Sequence, residues 1–208
     1  MLVGIMGKMG SGKTLAQSIL ASVLHEKTGL PLFANYTLHG ATIVDDMGKI
    51  WEMDSAIFCF NEIWLSADSR LWQDNVLLTQ WINQTRKKKL LVFYTTQHIS
   101  QVEMRIRKGT DYLIYTQRKG REFLWNFIDY QYGQLGRRLL LNDAARFFDL
   151  YNTFEVVRPI SMSGVPASIR GEGGKICEEC EQPFTPSEKA PWAKVCFQCF
   201  KRSSKRRS

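Results

Sequence analysis

The chain has 208 residues, 44% of them hydrophobic and 12% aromatic, and 28 Lys+Arg against 20 Asp+Glu give a formal net charge of +8. That apolar content can bury a sizeable core, which argues against wholesale disorder, and no apolar run approaches the ~20 residues that a membrane-spanning helix needs. The positive balance favours polyanionic partners such as nucleic acid without requiring one.

Leu2–Met6 is a short apolar run ending at Gly7 and reads as a buried strand. The run is too short for the core of a signal peptide and has no cleavage site after it, so an intracellular location is expected. From Thr14 to Glu26, Leu15, Ile19, Leu20, Val23 and Leu24 mark a helical face, with Gly29 as its stop. Pro31–Tyr36 is a second candidate strand. Ala56–Phe60 is a third, and its unbroken apolar run suits a central parallel position. Asn75–Thr85 reads as helix and Leu90–Thr95 as a fourth strand. This alternation predicts a doubly wound α/β domain.

After Gln97 the texture changes. Tyr112–Gln117, Glu122–Asp129 and Gln131–Leu141 read as shorter strands, joined by turns at Arg118–Arg121 and Tyr132–Gly136. Asn142 is placed to cap a last helix running to Tyr151. Ser161–Lys175, rich in Ser, Gly and Pro, reads as a linker. The expected organisation is a main domain over 1–160, a linker over 161–175, a cysteine-bearing unit over 176–200 and a basic tail over 201–208.

Gly7-Lys8-Met9-Gly10-Ser11-Gly12-Lys13-Thr14 matches the phosphate-loop pattern in full. Its glycines let backbone N–H groups turn around phosphate oxygens, and Lys13 is expected to reach the β and γ phosphates. The Thr14 hydroxyl is expected to ligate Mg²⁺, and the following helix turns its positive end to the same anion. The implied cofactors are ATP and Mg²⁺. Lys8 either touches the γ phosphate or faces solvent.

Ala56–Phe60 ends in Asn61-Glu62, where an Asp-Glu pair is the expected form. The Asp would hold the metal, usually through water, and the Glu would polarise the attacking water. Glu62 is in place. Asn61 can accept a hydrogen bond from metal-bound water but adds no negative charge. It fits a working natural variant, an inactive relative or an engineered substitution equally. Gln97, at the end of the next apolar strand, is either a sensor of the γ phosphate or an ordinary strand-end residue.

Cys177-x2-Cys180 and Cys196-x2-Cys199, fifteen residues apart, have the spacing of a four-cysteine zinc ribbon. In a reducing compartment metal ligation suits them better than disulfides, and Zn²⁺ would supply much of the unit's folding free energy. Arg86–Lys89 falls near a helix C-terminus, where cations offset the helix dipole or contact phosphate. The tail from Lys201 to Arg207 carries five cations in seven positions and is either a nonspecific phosphate binder or a solvated end.

The phosphate loop, the strand ending at Glu62, Asp68-Ser69-Arg70, Arg86–Lys89, Gln97 and Arg105-Ile106-Arg107 together resemble viral genome-packaging ATPases of the FtsK–HerA lineage. They also resemble phage ATPases similar to the zonula occludens toxin domain, and Phe33-Ala34-Asn35-Tyr36 is similar to the second strand of these proteins. The resemblance covers roughly residues 1–160, and Asn61 departs from its acidic residue. It implies a P-loop NTPase fold: a mainly parallel central sheet flanked by helices, with added antiparallel strands. It also implies a homo-oligomeric ring, often a hexamer, that hydrolyses ATP and drives double-stranded DNA into a capsid. A capsid or vertex protein would be the partner, in host cytoplasm or virion. Arg107, then Arg105, is the candidate finger supplied by a neighbouring subunit; each also reads as a surface or DNA-contacting arginine. Arg70 would orient the Glu62 loop. A thymidine-kinase-like nucleoside kinase, which also joins a phosphate loop to a zinc element, and a nucleotide-gated DNA-binding adaptor are the competing readings.

Overall fold

The computed structural model describes residues 1–63, 72–157 and 159–165, and beyond them 175–176, 178–179, 183–184, 193–195, 197 and 200. The chain divides into two units, Met1–Gly164 and Val165–Ser208.

In the first unit, strands β1 (Leu2–Met6), β2 (Leu32–Ala34), β3 (Thr42–Ile43), β4 (Ile57–Phe60), β5 (Leu91–Thr96), β6 (Tyr112–Lys119), β7 (Glu122–Asp129) and β8 (Gln134–Leu141) form one sheet in the order β3-β2-β4-β5-β1-β6-β7-β8. Pairings from β3 to β6 are all parallel, whereas β6–β7 and β7–β8 are antiparallel. This is the expected α/β P-loop architecture: a mainly parallel centre with added antiparallel strands.

The centre is parallel because its strands are apolar on both faces. All four residues of β4 are buried, and Phe58 stacks on Phe33 with ring centroids 5.1 Å apart while meeting Trp81 edge-on at 5.0 Å. Trp81 comes from helix α2 (Trp72–Asn83). Helix α1 (Lys13–Thr28) covers the opposite face through Leu15, Ala16 and Ile19. Full burial of each such large side chain contributes about 1.5–3 kcal/mol. Two polar side chains on that face are tied down: Gln17 Nε2 donates to the Phe93 carbonyl at 3.1 Å, and the Ser18 and Tyr36 hydroxyls lie 3.0 Å apart.

Several elements differ from the sequence-based expectation. The second strand stops at Ala34 because Asn35 turns its amide onto Asn61. β3 is absent from the expected elements: it has two residues, both exposed, too few to show a period. Helix α3 (Met104–Gly109) is absent for the same reason, since Ile106 is its one buried residue. It forms because the Glu103 carboxylate accepts from Arg105 N at 2.7 Å and Ile106 N at 3.3 Å, satisfying its first donors. The helix expected from Asn142 to Tyr151 is a 3-10 helix over Ala144–Leu150, preceded by Asp143 with no side-chain cap bond.

The linker expected over 161–175 is corrected at its start. Ser161 N donates to Asp45 O and Met47 N to Ser161 O, both at 2.8 Å. The Asp46 carboxylate then accepts from Ser163 Oγ at 2.7 Å and Gly164 N at 3.1 Å. Gly48 and Gly164 pack backbone to backbone, with no room for a Cβ on Gly48. Small polar residues here serve a close approach, not flexibility.

In the second unit, β9 (Lys175–Ile176) pairs antiparallel with β10 (Pro183–Phe184), and Glu178 N donates to Lys194 O at 3.0 Å. Cys177, Cys180, Cys196 and Cys199, the tail over 201–208, and Asp68-Ser69-Arg70 lie outside the described residues. Among the described residues, no helix is long and apolar enough to cross a membrane.

Candidate functional site

Because β5 lies between β1 and β4, the C-terminal ends of three parallel strands sit side by side. This puts the loop after β1, the Asn61-Glu62 turn after β4 and the threonines ending β5 in one place, the usual location for ligands in open parallel sheets.

The loop is shaped by what it packs against. At Gly7 a Cβ would lie 2.5 Å from both Ser11 Oγ and the Thr116 carbonyl. Gly12 has φ 88°, and a Cβ there would sit 2.4 Å from the Phe123 ring. Thr116 Oγ1 donates to the Met6 carbonyl at 3.1 Å and lies 2.7 Å from Ser11 Oγ, so β6 pins both ends of the loop. Lys13 is 7% exposed, its Nζ 3.4 Å from the Lys8 carbonyl and 3.9 Å from the Glu62 carboxylate. Burial lowers its pKa and the nearby Glu62 opposes that fall. Lys8 and Met9 are exposed, with Met9 projecting 84% of its surface.

Asn61 is the centre of a hydroxyl network. Its Oδ1 accepts from Thr95 Oγ1 at 2.7 Å and Thr14 Oγ1 at 3.2 Å, using both lone pairs of the amide oxygen. Its backbone is gripped by Asn35, whose Oδ1 accepts from Asn61 N at 2.7 Å and whose Nδ2 donates to Asn61 O at 3.1 Å. Glu62 comes next, in the left-handed region with φ 51°, and its N–H donates to Thr95 Oγ1 at 2.7 Å. Two neighbouring strands therefore fix this turn. Thr14 directs its proton at Asn61, which leaves its oxygen lone pairs for a hard cation. That donor set fits Mg²⁺, with the deficit that Asn61 brings no charge.

Among the described residues, the structure does not bring Gln97, Arg105, Arg107 or Arg86–Lys89 into this cluster. Gln97 directly follows β5, half-buried, and does not line the cavity at the loop. Arg105 and Arg107 lie on α3, which runs down to Thr110 and Asp111, beside the start of β1 and so toward the N-terminal ends of the parallel strands. Arg105 pairs with Glu103 at 3.8 Å. Arg86–Lys89 follows α2 in turns and is not its last helical turn. Arg86 pairs with Asp111, and Lys88 Nζ donates to the Trp51 carbonyl at 2.5 Å, so both tether local structure.

A cavity of about 960 Å³ opens from the loop, lined by Lys13, Thr14, Asn61 and Glu62. Arg118, Phe123, whose ring abuts Gly12, and the segment from Phe148 to Val157 line it as well. The Arg118 guanidinium lies 5.5 Å over the Phe123 ring, and its Nε donates to the Gly120 carbonyl at 2.8 Å. Sequence reasoning misses this lining, because Arg118 falls in an expected turn and Phe148–Val157 in and beyond the tail of an expected helix. No spacing rule connects them to a loop more than a hundred residues earlier.

No protein-family model matches the chain, and no curated protein matches it. Among solved structures it is similar to the N-terminal domain of zonular occludens toxin from Neisseria meningitidis, at 16% identity and TM-score 0.48, covering 73% of this chain and 98% of that one. It is also similar to the genome packaging NTPase B204 from Sulfolobus turreted icosahedral virus 2, solved with ATP-gammaS, at 12% identity and TM-score 0.49, covering 65% of this chain and 95% of that one. The ATPase domain of G40P is similar at 10% identity and TM-score 0.45, covering 68% and 80%. The chemistry of the site rests on this chain's own residues.

Proposed function

We propose that this protein is a magnesium-dependent ATPase that works as an oligomeric DNA motor, with genome packaging as the task its motif order fits best. The observation that carries the ATPase reading is the meeting of a complete phosphate loop with Glu62, 3.9 Å from Lys13, at adjacent strand ends. Lys13 binds the β and γ phosphates, the loop N–H groups bind their oxygens, and Glu62 orients a water toward the terminal phosphorus. Bound Mg²⁺, held by Thr14 with Asn61 behind it, would neutralise charge on the phosphates. Asn61 orients the Thr14 hydroxyl and supplies no charge of its own.

The DNA-motor part rests on the net charge of +8 and on the order of segments shared with packaging ATPases. Arg107, which does not line the cavity of its own chain, acts in this reading from a neighbouring subunit of a ring. Cys177, Cys180, Cys196 and Cys199 hold Zn²⁺ in a tethered unit that, with the basic tail, touches DNA or a capsid protein. A second reading, a nucleotide-gated DNA-binding adaptor with little hydrolysis, is favoured by one feature, the neutral Asn61.

The decisive experiment measures ATP hydrolysis with and without duplex DNA, beside the oligomeric mass, for the chain and for Asn61→Asp. DNA-stimulated turnover by an oligomer is expected. Absence of stimulation in both proteins would sink the motor, and nucleotide-dependent DNA binding without turnover would leave the adaptor. Zinc is checked separately by metal analysis of reduced protein, where a metal-free chain removes the ribbon.

A further inference from the structure

The cavity wall formed by Phe148–Val157 has no role in the reaction chemistry, yet it is built in a definite way. Phe148 is 48% exposed, Val156 84% and Phe154 93%, all on one segment facing the cavity of the phosphate loop. Single exposed apolar residues are ordinary; three on a short segment lining the same cavity mark a binding surface.

The segment's backbone is anchored. Leu38 and Tyr151 form an antiparallel bridge, and His39 N donates to the Leu150 carbonyl at 2.8 Å. Thr37 N donates to Glu155 Oε2 at 2.6 Å, and Phe154 N donates to Asn152 Oδ1 at 3.0 Å. Polar side chains of the segment thus turn acceptor oxygens to backbone and Leu150, Tyr151 and Val157 pack on the core, while Phe148, Phe154 and Val156 remain outward. A surface held open in this way loses little further freedom when a ligand covers it.

Resting on the nucleotide reading of Gly7–Thr14, we propose that Phe148–Val157 is the base-binding wall of the site, with Phe154 as the ring on which the base stacks. A volume of about 960 Å³ is ample for a nucleoside triphosphate. With the phosphates fixed at Lys13, sugar and base extend along the apolar wall. Arg118, seated over Phe123 beside the loop, presents a planar cation to the same cavity, suited to a phosphate oxygen or to a second π face. Recognition by stacking follows ring area and does not read the hydrogen-bonding edge of the base. The site therefore takes purine nucleotides with little distinction between adenine and guanine.

The test is calorimetric titration of the full chain and of Phe154→Ala with MgATP, MgGTP and inorganic triphosphate. Because Phe154 is almost wholly exposed, the variant is expected to fold as the parent does. Removing one stacking ring should weaken ATP and GTP together by roughly 5- to 100-fold and leave inorganic triphosphate within about twofold. Phe154→Trp should restore nucleotide affinity. Unchanged ATP affinity in Phe154→Ala overturns the proposal, as does an equal loss for inorganic triphosphate, or ATP and GTP differing by more than about 50-fold in the parent. If the parent binds neither ATP nor inorganic triphosphate, the nucleotide reading itself fails and this wall fails with it.

Discussion

Two walls of the cavity, the phosphate loop with its neighbours and the Phe148–Val157 segment, are built on opposite terms. At the phosphate wall, Gly7 and Gly12 have no room for a side chain, Lys13 is buried, and Ser11, Thr14, Thr95 and Thr116 are all hydrogen-bonded in place. At the other wall, Phe154 and Val156 stand almost fully in solvent on a backbone held from behind. The difference follows from the ligand parts each would meet. Phosphate oxygens demand N–H groups and a cation at set positions, whereas a flat ring asks only for apolar area. One wall tolerates almost no substitution, and the other many of similar size.

The largest expected effect tests whether charge dominates the phosphate wall. Lys13→Ala should lose about 100-fold in affinity for both ATP and inorganic triphosphate, the scale of losing strong charge-assisted hydrogen bonds. A loss confined to ATP would break the comparison, since it would put Lys13 to work on something other than phosphate.

Next comes tolerance. Gly12→Ala forces a Cβ against Phe123 in left-handed backbone and should cost about 2 kcal/mol of stability in urea unfolding. Phe154→Ala should cost no more than about 0.5 kcal/mol in the same assay. Equal costs would mean that the base-binding wall is packed more firmly than its exposure indicates.

Asn61→Asp sharpens the phosphate wall itself. A carboxylate would keep the bonds from Thr14 and Thr95 and add charge behind the metal, so turnover at limiting Mg²⁺ should rise about tenfold. Steady-state ATPase across a Mg²⁺ titration checks this, and a fall in rate would show that the neutral amide is needed.

The last test concerns Ser161–Gly164, a few residues beyond Val157 along the chain. Burial works against ionisation of Asp46, but hydrogen bonds from Ser163, Ser161, Gly48 N and Gly164 N outweigh it and lower its pKa from 3.8 to about 2. A carboxyl depressed in the folded state contributes stability that is complete above its unfolded value and lost as pH falls toward its folded one. Asp46→Asn should therefore be less stable by about 1 kcal/mol at pH 7, with the gap from the parent closing between about pH 4 and pH 2. Urea midpoints at several pH values measure it. A pH-independent gap would mean that shape, not charge, holds Ser161–Gly164.

Much of the phosphate wall is legible in the sequence for a physical reason. Its residues are consecutive, and each type answers a steric or electrostatic demand that few others can meet, as Gly12, Lys13 and Thr14 do. The parallel centre is legible because β4 and β5 are buried on both faces and so read as unbroken apolar runs. β3 and α3 are not, since elements of two and six residues carry no measurable period. Asn35 reads as part of a strand, but its grip on the Asn61 backbone spans two strands and leaves no trace along either.

What the sequence determined by itself was therefore a phosphate-loop motif between a strand and a helix, a carboxylate at the end of a buried strand and an alternating α/β order. Local chemistry is enough for each of these. Tertiary structure alone decided that Asn61 holds the Thr14 and Thr95 hydroxyls, that Arg118 and the Phe148–Val157 segment share a cavity with Lys13, and that Ser161–Gly164 is packed and not linking. Those facts depend on which strand lies beside which, and strand order is set by burial summed over the whole sheet.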